Sequence, residues 1–245
     1  MRIVLVTALA LLPGLAAAQQ WEVNSLTRPR PRVVDPGPER PPVPAPEDAI
    51  VLFDGRDLSE WTHGDGTSAR WRVAEGFFEV VAGTGTLRTR REFADVQLHL
   101  EWATPAVVQG ESQERGNSGL FLMGYYEIQI LDSWRNETYA DGQAAALYGQ
   151  TPPLVNASRP PGKWQTYDVV FHAPRYGADG AVVDSARATV FHNGVLVHNA
   201  VAFTGRTRHA VRARYEPHGP RGPITLQDHG NPVRFRNVWV RELGS

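Results

Sequence analysis

The chain has no cysteine, and this absence removes disulfides, thiol nucleophiles, Cys-based zinc sites and a lipid-modified cysteine anchor. It has almost no net charge, −1 from 25 Lys and Arg against 26 Asp and Glu, so no strong field points to nucleic acid or anionic lipid. It lacks a phosphate loop, a dinucleotide fingerprint and a basic stripe, which excludes nucleotide and nucleic-acid partners as the leading readings. No stretch keeps a helical apolar period, and no internal repeat is visible. After the first residues no segment is apolar enough to span a bilayer. Stability must then come from an apolar core, which seven Trp, seven Tyr and nine Phe can supply.

What is present falls into three parts. Residues 1–18 combine Arg2, an apolar run from Ile3 to Leu15 and Ala16-Ala17-Ala18, the pattern of a signal peptide cut before Gln19. The mature protein is expected to be exported, to a bacterial periplasm or beyond. Residues 19–48 hold Pro29, Pro31, Pro36, Pro38, Pro41, Pro42, Pro44 and Pro46. Repeated Pro removes backbone donors and favours extended chain, so a leader or tether is expected, with a strap lying on the domain as the alternative. Residues 49–243 form the folded domain.

In that domain many short apolar or alternating runs are separated by turn residues: 50–53, 77–81, 86–88, 96–102, 118–122, 126–131, 167–172, 186–192, 195–199, 224–229 and 233–243. This spacing predicts an all-β, two-sheet antiparallel sandwich or jelly roll. Asn193-Gly194 marks a hairpin. The Gly-rich turn between 77–81 and 86–88 predicts another. Near the end of the chain the alternation slips around Asn237, as an inserted bulge residue would make it do.

Period two also sorts side chains by face. Gln97, His99 and Glu101 lie opposite Val96, Leu98, Leu100 and Trp102; Glu127 and Gln129 lie opposite Ile128 and Ile130; Thr225, Gln227 and His229 lie opposite Ile224 and Leu226. If these strands were neighbours in one sheet, they would make a polar floor suited to a sugar. The polar cluster Gln227-Asp228-His229-Gly230-Asn231 sits where a strand breaks, either as a binding site or as an ordinary turn. The long loop 132–164 adds Trp134, Tyr148 and Trp164 for stacking on a sugar ring, with Gln150 and Asn156 for its hydroxyls, or else those aromatics only pin the loop.

Several of these stretches occur together and in order: Leu52-Phe53-Asp54-Gly55, Asn117-Ser118-Gly119, Tyr126-Glu127-Ile128-Gln129-Ile130-Leu131-Asp132, Tyr148-Gly149-Gln150, Gly162-Lys163-Trp164, Asn193-Gly194 and Gln227-Asp228-His229-Gly230-Asn231-Pro232. In this the chain resembles the exported bacterial family of 3-keto-disaccharide hydrolases across residues 49–243. The resemblance implies a concanavalin-like sandwich and cleavage of 3-keto-glycosides by C2 proton abstraction, loss of the C1 aglycone and hydration. It also implies a separate oxidoreductase partner that makes the C3 ketone. Such chemistry needs a base, an acid and donors for the enolate oxygen. Glu127 and His229 are the leading acid–base candidates, joined by Glu101 and Asp228. Asn117, Gln129, Asp132, Tyr148, Gln150, Asn156, Lys163, Trp164 and Gln227 are the candidates for holding substrate.

Two other readings stand beside this one. Glu101 and Glu127 would serve an ordinary two-carboxylate glycosidase if their strands were adjacent, and the same sandwich would serve as a binding module without chemistry. No cofactor is expected. His63 with Asp65, or His218 with Asp228 and His229, match no recognised metal spacing, and a loop-bound calcium remains the alternative.

Overall fold

The computed structural model describes residues 21–244. The signal-peptide reading of residues 1–18 lies outside them. Among the described residues no helix is long and apolar enough to cross a membrane, and helical structure is confined to two short 3₁₀ turns, Ser112–Glu114 and Ala140–Gly142.

Two antiparallel sheets make the fold. The larger runs, edge to edge, Val195–Ala202, Arg187–His192, Gln165–His172, Val96–Ala103, Arg234–Glu242, Phe77–Glu79 and Arg72–Ala74, with Ile50–Phe53 pairing beside the far end of Arg234–Glu242. The smaller runs Trp61–His63, Leu87–Phe93, Gly222–Leu226, Ser118–Leu122 and Tyr126–Ile130. Alternation decides what each strand buries: in Gln165–His172 the residues Gln165, Tyr167, Val169 and Phe171 turn inward, and in Gly222–Leu226 so do Ile224 and Leu226. The inner faces meet in one apolar core that includes Trp61, Leu87, Tyr126 and Ile128 from the smaller sheet and Phe78, Leu98, Phe171 and Phe235 from the larger. Across the gap, the rings of Tyr126 and Phe171 lie 5.8 Å apart, and the Tyr167 hydroxyl donates to the Gln129 carbonyl at 2.7 Å. Each large side chain so buried contributes about 1.5–3 kcal/mol, so the core can hold the sandwich together without a disulfide.

Asn193 and Gly194 turn the hairpin between Arg187–His192 and Val195–Ala202 with φ of 54° and 81°, the left-handed pair that a tight two-residue turn requires. The bulge also stands where the alternation slips: pairing with Val96–Ala103 shifts register between Arg236 and Trp239, with Asn237 at φ 47°.

The second expected hairpin does not form. Phe77–Glu79 pairs in the larger sheet and Leu87–Phe93 in the smaller, so the Gly-rich connection arches from one sheet to the other. Glycine allows a sharp reversal, but it does not say whether the returning strand pairs with the outgoing one.

Residues 21–48 lie along the sandwich as a strap, not as a free tether. Arg32–Val33 pairs in parallel with Val155–Asn156. Arg159 donates to the carbonyls of Gly37 at 3.2 Å and Pro38 at 3.0 Å, Asn237 donates to Val43 O at 2.8 Å, and Arg241 holds Asp48. A Pro-rich segment has few N–H donors but a full set of carbonyls. Arg and Asn side chains of the domain supply what those carbonyls need, so the strap docks without a sheet of its own.

Candidate active site

The outer face of the smaller sheet carries the candidate site. Glu127 and Gln129 project from Tyr126–Ile130 on the side opposite Ile128 and Ile130, which enter the core. Next to that strand, Gly119 pairs with Gln129 and Phe121 with Glu127. The Glu127 carboxyl folds over Gly119: a Cβ there would stand 2.5 Å from Glu127 Oε1. A glycine inside a strand often marks such a close approach, and here it makes room for the carboxyl.

The loop after the strand closes over it. Gln129 N–H donates to Ala146 O and Ala145 N–H to Gln129 O, both at 2.9 Å, while Tyr148 N–H donates to Glu127 O at 3.2 Å. The loop thus covers an otherwise open sheet edge and excludes water from the carboxyl. From the other side Thr207 accepts the Glu127 N–H at 3.1 Å and donates its own N–H to Tyr125 O at 2.9 Å. The strap secures this cover, since Asn24 N–H reaches Asp141 at 3.1 Å and Arg28 donates to Gln150 O at 3.1 Å.

The result is a cavity of about 180 Å³ lined by Asn117, Phe121, Glu127, Gln129, Tyr148, Thr207, Arg208, His209, Gln227 and His229. Glu127 is 5% exposed, and burial pushes its carboxyl up to about 8. With its nitrogen turned to Glu127, the Gln129 amide donates to Oε1 at 3.1 Å and to Ser118 O at 3.0 Å. The Tyr148 hydroxyl lies 3.0 Å from His209 Nδ1 and 2.7 Å from the Tyr139 hydroxyl, and burial raises the pKa of Tyr148. His229 is exposed at the rim, whereas Glu127 in the same cavity is buried.

Six of the residues singled out in the sequence therefore line one cavity: Asn117, Glu127, Gln129, Tyr148, Gln227 and His229. The others are placed elsewhere. Glu101 belongs to the larger sheet, where it accepts from Arg236 Nε at 2.7 Å and Asn237 Nδ2 at 2.8 Å and lies 3.5 Å from His99. Period two reports which face a side chain takes, not which sheet its strand joins, so the single polar floor expected from three strands is split over two outer faces. Asp228 is committed to a turn, accepting N–H groups from Gly85 and Gly230 at 2.9 Å each. Asp132 is paired with Arg115, whose Nε is 3.0 Å away, and accepts the Trp134 N–H.

Gln150 accepts the Thr204 N–H at 2.6 Å, and Asn156 donates to Ser133 O at 2.9 Å, so both amides hold loops. Trp164 stacks under the Arg236 guanidinium, 4.1 Å from its ring centre. Lys163 and Trp134 border a separate hollow beneath the strap. The sequence reading missed Phe121, Thr207, Arg208 and His209. Phe121 alternates with Leu120 and Leu122 and was legible as outward-facing; the other three sit on an irregular segment that has no period to place them.

The proposed metal partners separate as well. His218 contacts the Tyr126 hydroxyl at 2.7 Å, and His63 accepts the Arg70 N–H at 3.1 Å. Among the described residues no group of three or more His, Asp or Glu side chains is arranged to hold a metal ion.

Comparison with known proteins gives this geometry a context. Residues 48–241 match the family described as the 3-keto-alpha-glucoside-1,2-lyase-like domain. A curated 3-keto-disaccharide hydrolase from Bacteroides thetaiotaomicron is 23% identical over 79% of this chain and 78% of its own length. A candidate glycosyl hydrolase from Parabacteroides distasonis, known as a crystal structure, is 46% identical, with a TM-score of 0.79 over 81% of this chain and 85% of that one. A second such structure from the same organism shares the fold at 19% identity and a TM-score of 0.61, over 81% of this chain and 95% of that one.

Proposed function

The chain belongs to the 3-keto-alpha-glucoside-1,2-lyase-like family of carbohydrate-active enzymes, and from that premise we propose that it cleaves 3-keto-glycosides by elimination at the Glu127 cavity. One observation carries the reading: Glu127 is the only carboxyl among the residues lining the cavity, and it is desolvated. An ordinary glycosidase needs two carboxyl groups flanking the bond. Glu101, the other member of the pair weighed from the sequence, lies in the opposite sheet.

A C3 ketone acidifies the C2–H, so a single base suffices to start the reaction. Glu127 as carboxylate takes the C2 proton, and the C2–H electron pair forms an enolate whose negative oxygen is the former ketone oxygen. Arg208 and the amides of Asn117 and Gln227 line the same space. Arg208 is paired with Glu216 at 2.6 Å and Asn117 Nδ2 donates to Gln113 O at 2.6 Å, so the Gln227 amide and the N–H groups those two residues have left are the donors for that oxygen in this reading. The enolate then collapses to a C1=C2 double bond, the C1–O bond breaks, and the aglycone oxygen leaves with its electron pair and receives a proton. His229 at the rim is the donor in this reading, because it can reload from solvent. Water added across C1=C2 returns the 3-keto sugar and completes net hydrolysis. A base works best with a pKa near the working pH, and a value of about 8 meets that condition where an ordinary carboxylate would be too weak.

This chemistry consumes a ketone that the chain has no fingerprint for making, so a separate sugar C3 oxidoreductase belongs to the proposal. Export through the N-terminal segment belongs to it too, and a mature protein beginning at Gln19 would support that part.

The test is aglycone release from a chromogenic glucoside and from its 3-keto derivative. Release from the keto substrate alone, slowed about 10²–10⁴-fold in Glu127→Gln and slowed further when C2 carries deuterium, is the expected result. Release from the plain glucoside at a similar rate would overturn it. Binding of both without release would leave a carbohydrate-binding module.

A further inference from the structure

A second hollow of about 580 Å³ opens beside the Glu127 cavity. The two share a rim. Gly116 faces the larger space and Asn117 the smaller; Gly230 and Asn231 face the larger and His229 the smaller. The Asn117 N–H donates to Asn231 Oδ1 at 3.0 Å and ties the two halves of that rim together. At about 180 Å³ the inner cavity is below the roughly 300–1,000 Å³ of a complete small-molecule site. It has room for one ring, and the rest of a glycoside must lie over the rim.

The walls of the outer hollow differ in character. One is the loop 104–110, whose base is pressed against its neighbours. Gly162 N–H donates to Thr104 O at 3.0 Å, and a Cβ at Gly116 or Gly162 would stand 2.6 Å from Thr104 Cβ or 2.7 Å from Ala106 Cβ. The tip of the loop is apolar and open, with Val107 73% and Val108 46% exposed. The rest of the lining is charged with both signs: Glu79, Glu114, Arg234, and Arg115 held by Asp132. No aromatic side chain lines the hollow, so it lacks the platform on which a sugar face usually stacks. A held loop that exposes two adjacent valines to one side of a polar cleft suits a ligand that is apolar on one face and polar at its edge.

We propose that this hollow is the leaving-group subsite, and that it takes an aryl aglycone carrying hydroxyls in preference to a second sugar. The proposal rests on the reading of the Glu127 cavity as the reaction site. In it the transferred ring sits over Glu127, the C1–O bond crosses the rim between Asn117 and His229, and the aryl face lies on Val107 and Val108.

The experiment is a binding titration, read by NMR or Trp fluorescence, with methyl glucoside, cellobiose and 4-hydroxyphenyl glucoside, each also as its 3-keto form. The aryl compound is expected to bind about tenfold more tightly than the methyl one and more tightly than the disaccharide. Val107→Asp with Val108→Asp, at exposed positions that the core does not use, is expected to collapse the aryl-to-methyl ratio toward one. Equal affinities, a disaccharide that binds best, an unchanged ratio in the double variant, or no binding of any of these would overturn the proposal. Binding is read without turnover, so the two readings fail separately. An aryl preference without aglycone release would remove the elimination and keep the subsite; release without an aryl preference would do the reverse.

Discussion

In the proposed elimination the chemistry turns on where one carboxyl is kept. Among the described residues Glu127 stands in no ion pair and is only 5% exposed, and burial alone pushes it up to about 8. At pH 7 about one molecule in ten then carries it as carboxylate. If Glu127 is the base, kcat/KM for the keto substrate rises with pH and levels off above about 8; an acid role would make it fall over the same range. A pH–rate profile decides between them. The same shift has a consequence for stability. The folded carboxyl keeps its proton up to about pH 8, whereas the unfolded chain releases it near 4.5, so stability is lost as pH rises through that window. Glu127→Gln is therefore expected to raise the unfolding free energy at pH 9, by on the order of 5 kcal/mol at most, and to leave it nearly unchanged at pH 4, as urea unfolding at both would show. Activity and stability are expected to move in opposite directions in this variant, the trade-off of a functional group kept in a destabilising place.

At the scale of elements, the site depends on one strand pair and its cover. Ser118–Leu122 and Tyr126–Ile130 are adjacent and antiparallel, and only a residue without a side chain at 119 lets Glu127 lie flat across the pair. Gly119→Ala sets a methyl 2.5 Å from Oε1, and the carboxyl must swing away. Its backbone conformation is open to other residues, so the fold is expected to survive at a cost of about 1–3 kcal/mol while aglycone release falls at least tenfold. Circular dichroism together with the activity assay separates the two effects. Phe121 and Glu127 were legible in the sequence because strand alternation puts them outward. The loop 203–218 was not, since Thr207, Arg208 and His209 reach the cavity through an irregular path fixed by contacts such as Thr207 N–H to Tyr125 O. The expected hairpin at 77–88 failed for a related reason: local turn residues encode a reversal, while pairing partners are chosen by the packed sheet.

At the scale of the whole molecule the two outer faces have separate tasks. The smaller sheet holds the Glu127 cavity. On the larger, His99 is 1% exposed, stacked on Trp239, with Asp168 Oδ1 2.7 Å from Nδ1 and Glu101 beside Nε2. Burial opposes its charge, but hydrogen bonds and charge attraction from Asp168 and Glu101 outweigh it and raise His99 to about 9. Folding therefore favours the imidazolium: its contribution is complete below pH 6.5 and is lost as pH rises through about 9. His99→Gln is expected to lower stability by on the order of 3 kcal/mol at pH 6 and by much less at pH 10, measured by urea unfolding at both. The strap is a second whole-molecule device. Arg159→Ala removes the donors to Gly37 O and Pro38 O and is expected to cost about 2–4 kcal/mol and to speed proteolysis within residues 21–48.

By itself the sequence determined the all-β class, most strand positions, the Asn193-Gly194 hairpin, the bulge at Asn237 and the outward faces of Glu127, Gln129 and Gln227. Each of these follows from period two or from the backbone freedom of Asn and Gly, which are local properties. Tertiary structure alone decided that Val96–Ala103 and Tyr126–Ile130 lie in different sheets, and with that the separation of Glu101 from Glu127. It also decided that Asp132 would be spent on Arg115 and Asp228 on a turn, and that the strap would lie down on the domain. Those outcomes depend on which side chains meet across long stretches of chain. The raised pKa of the Glu127 carboxyl depends on the fold keeping solvent and cations away from it, and no local pattern of residues records that burial.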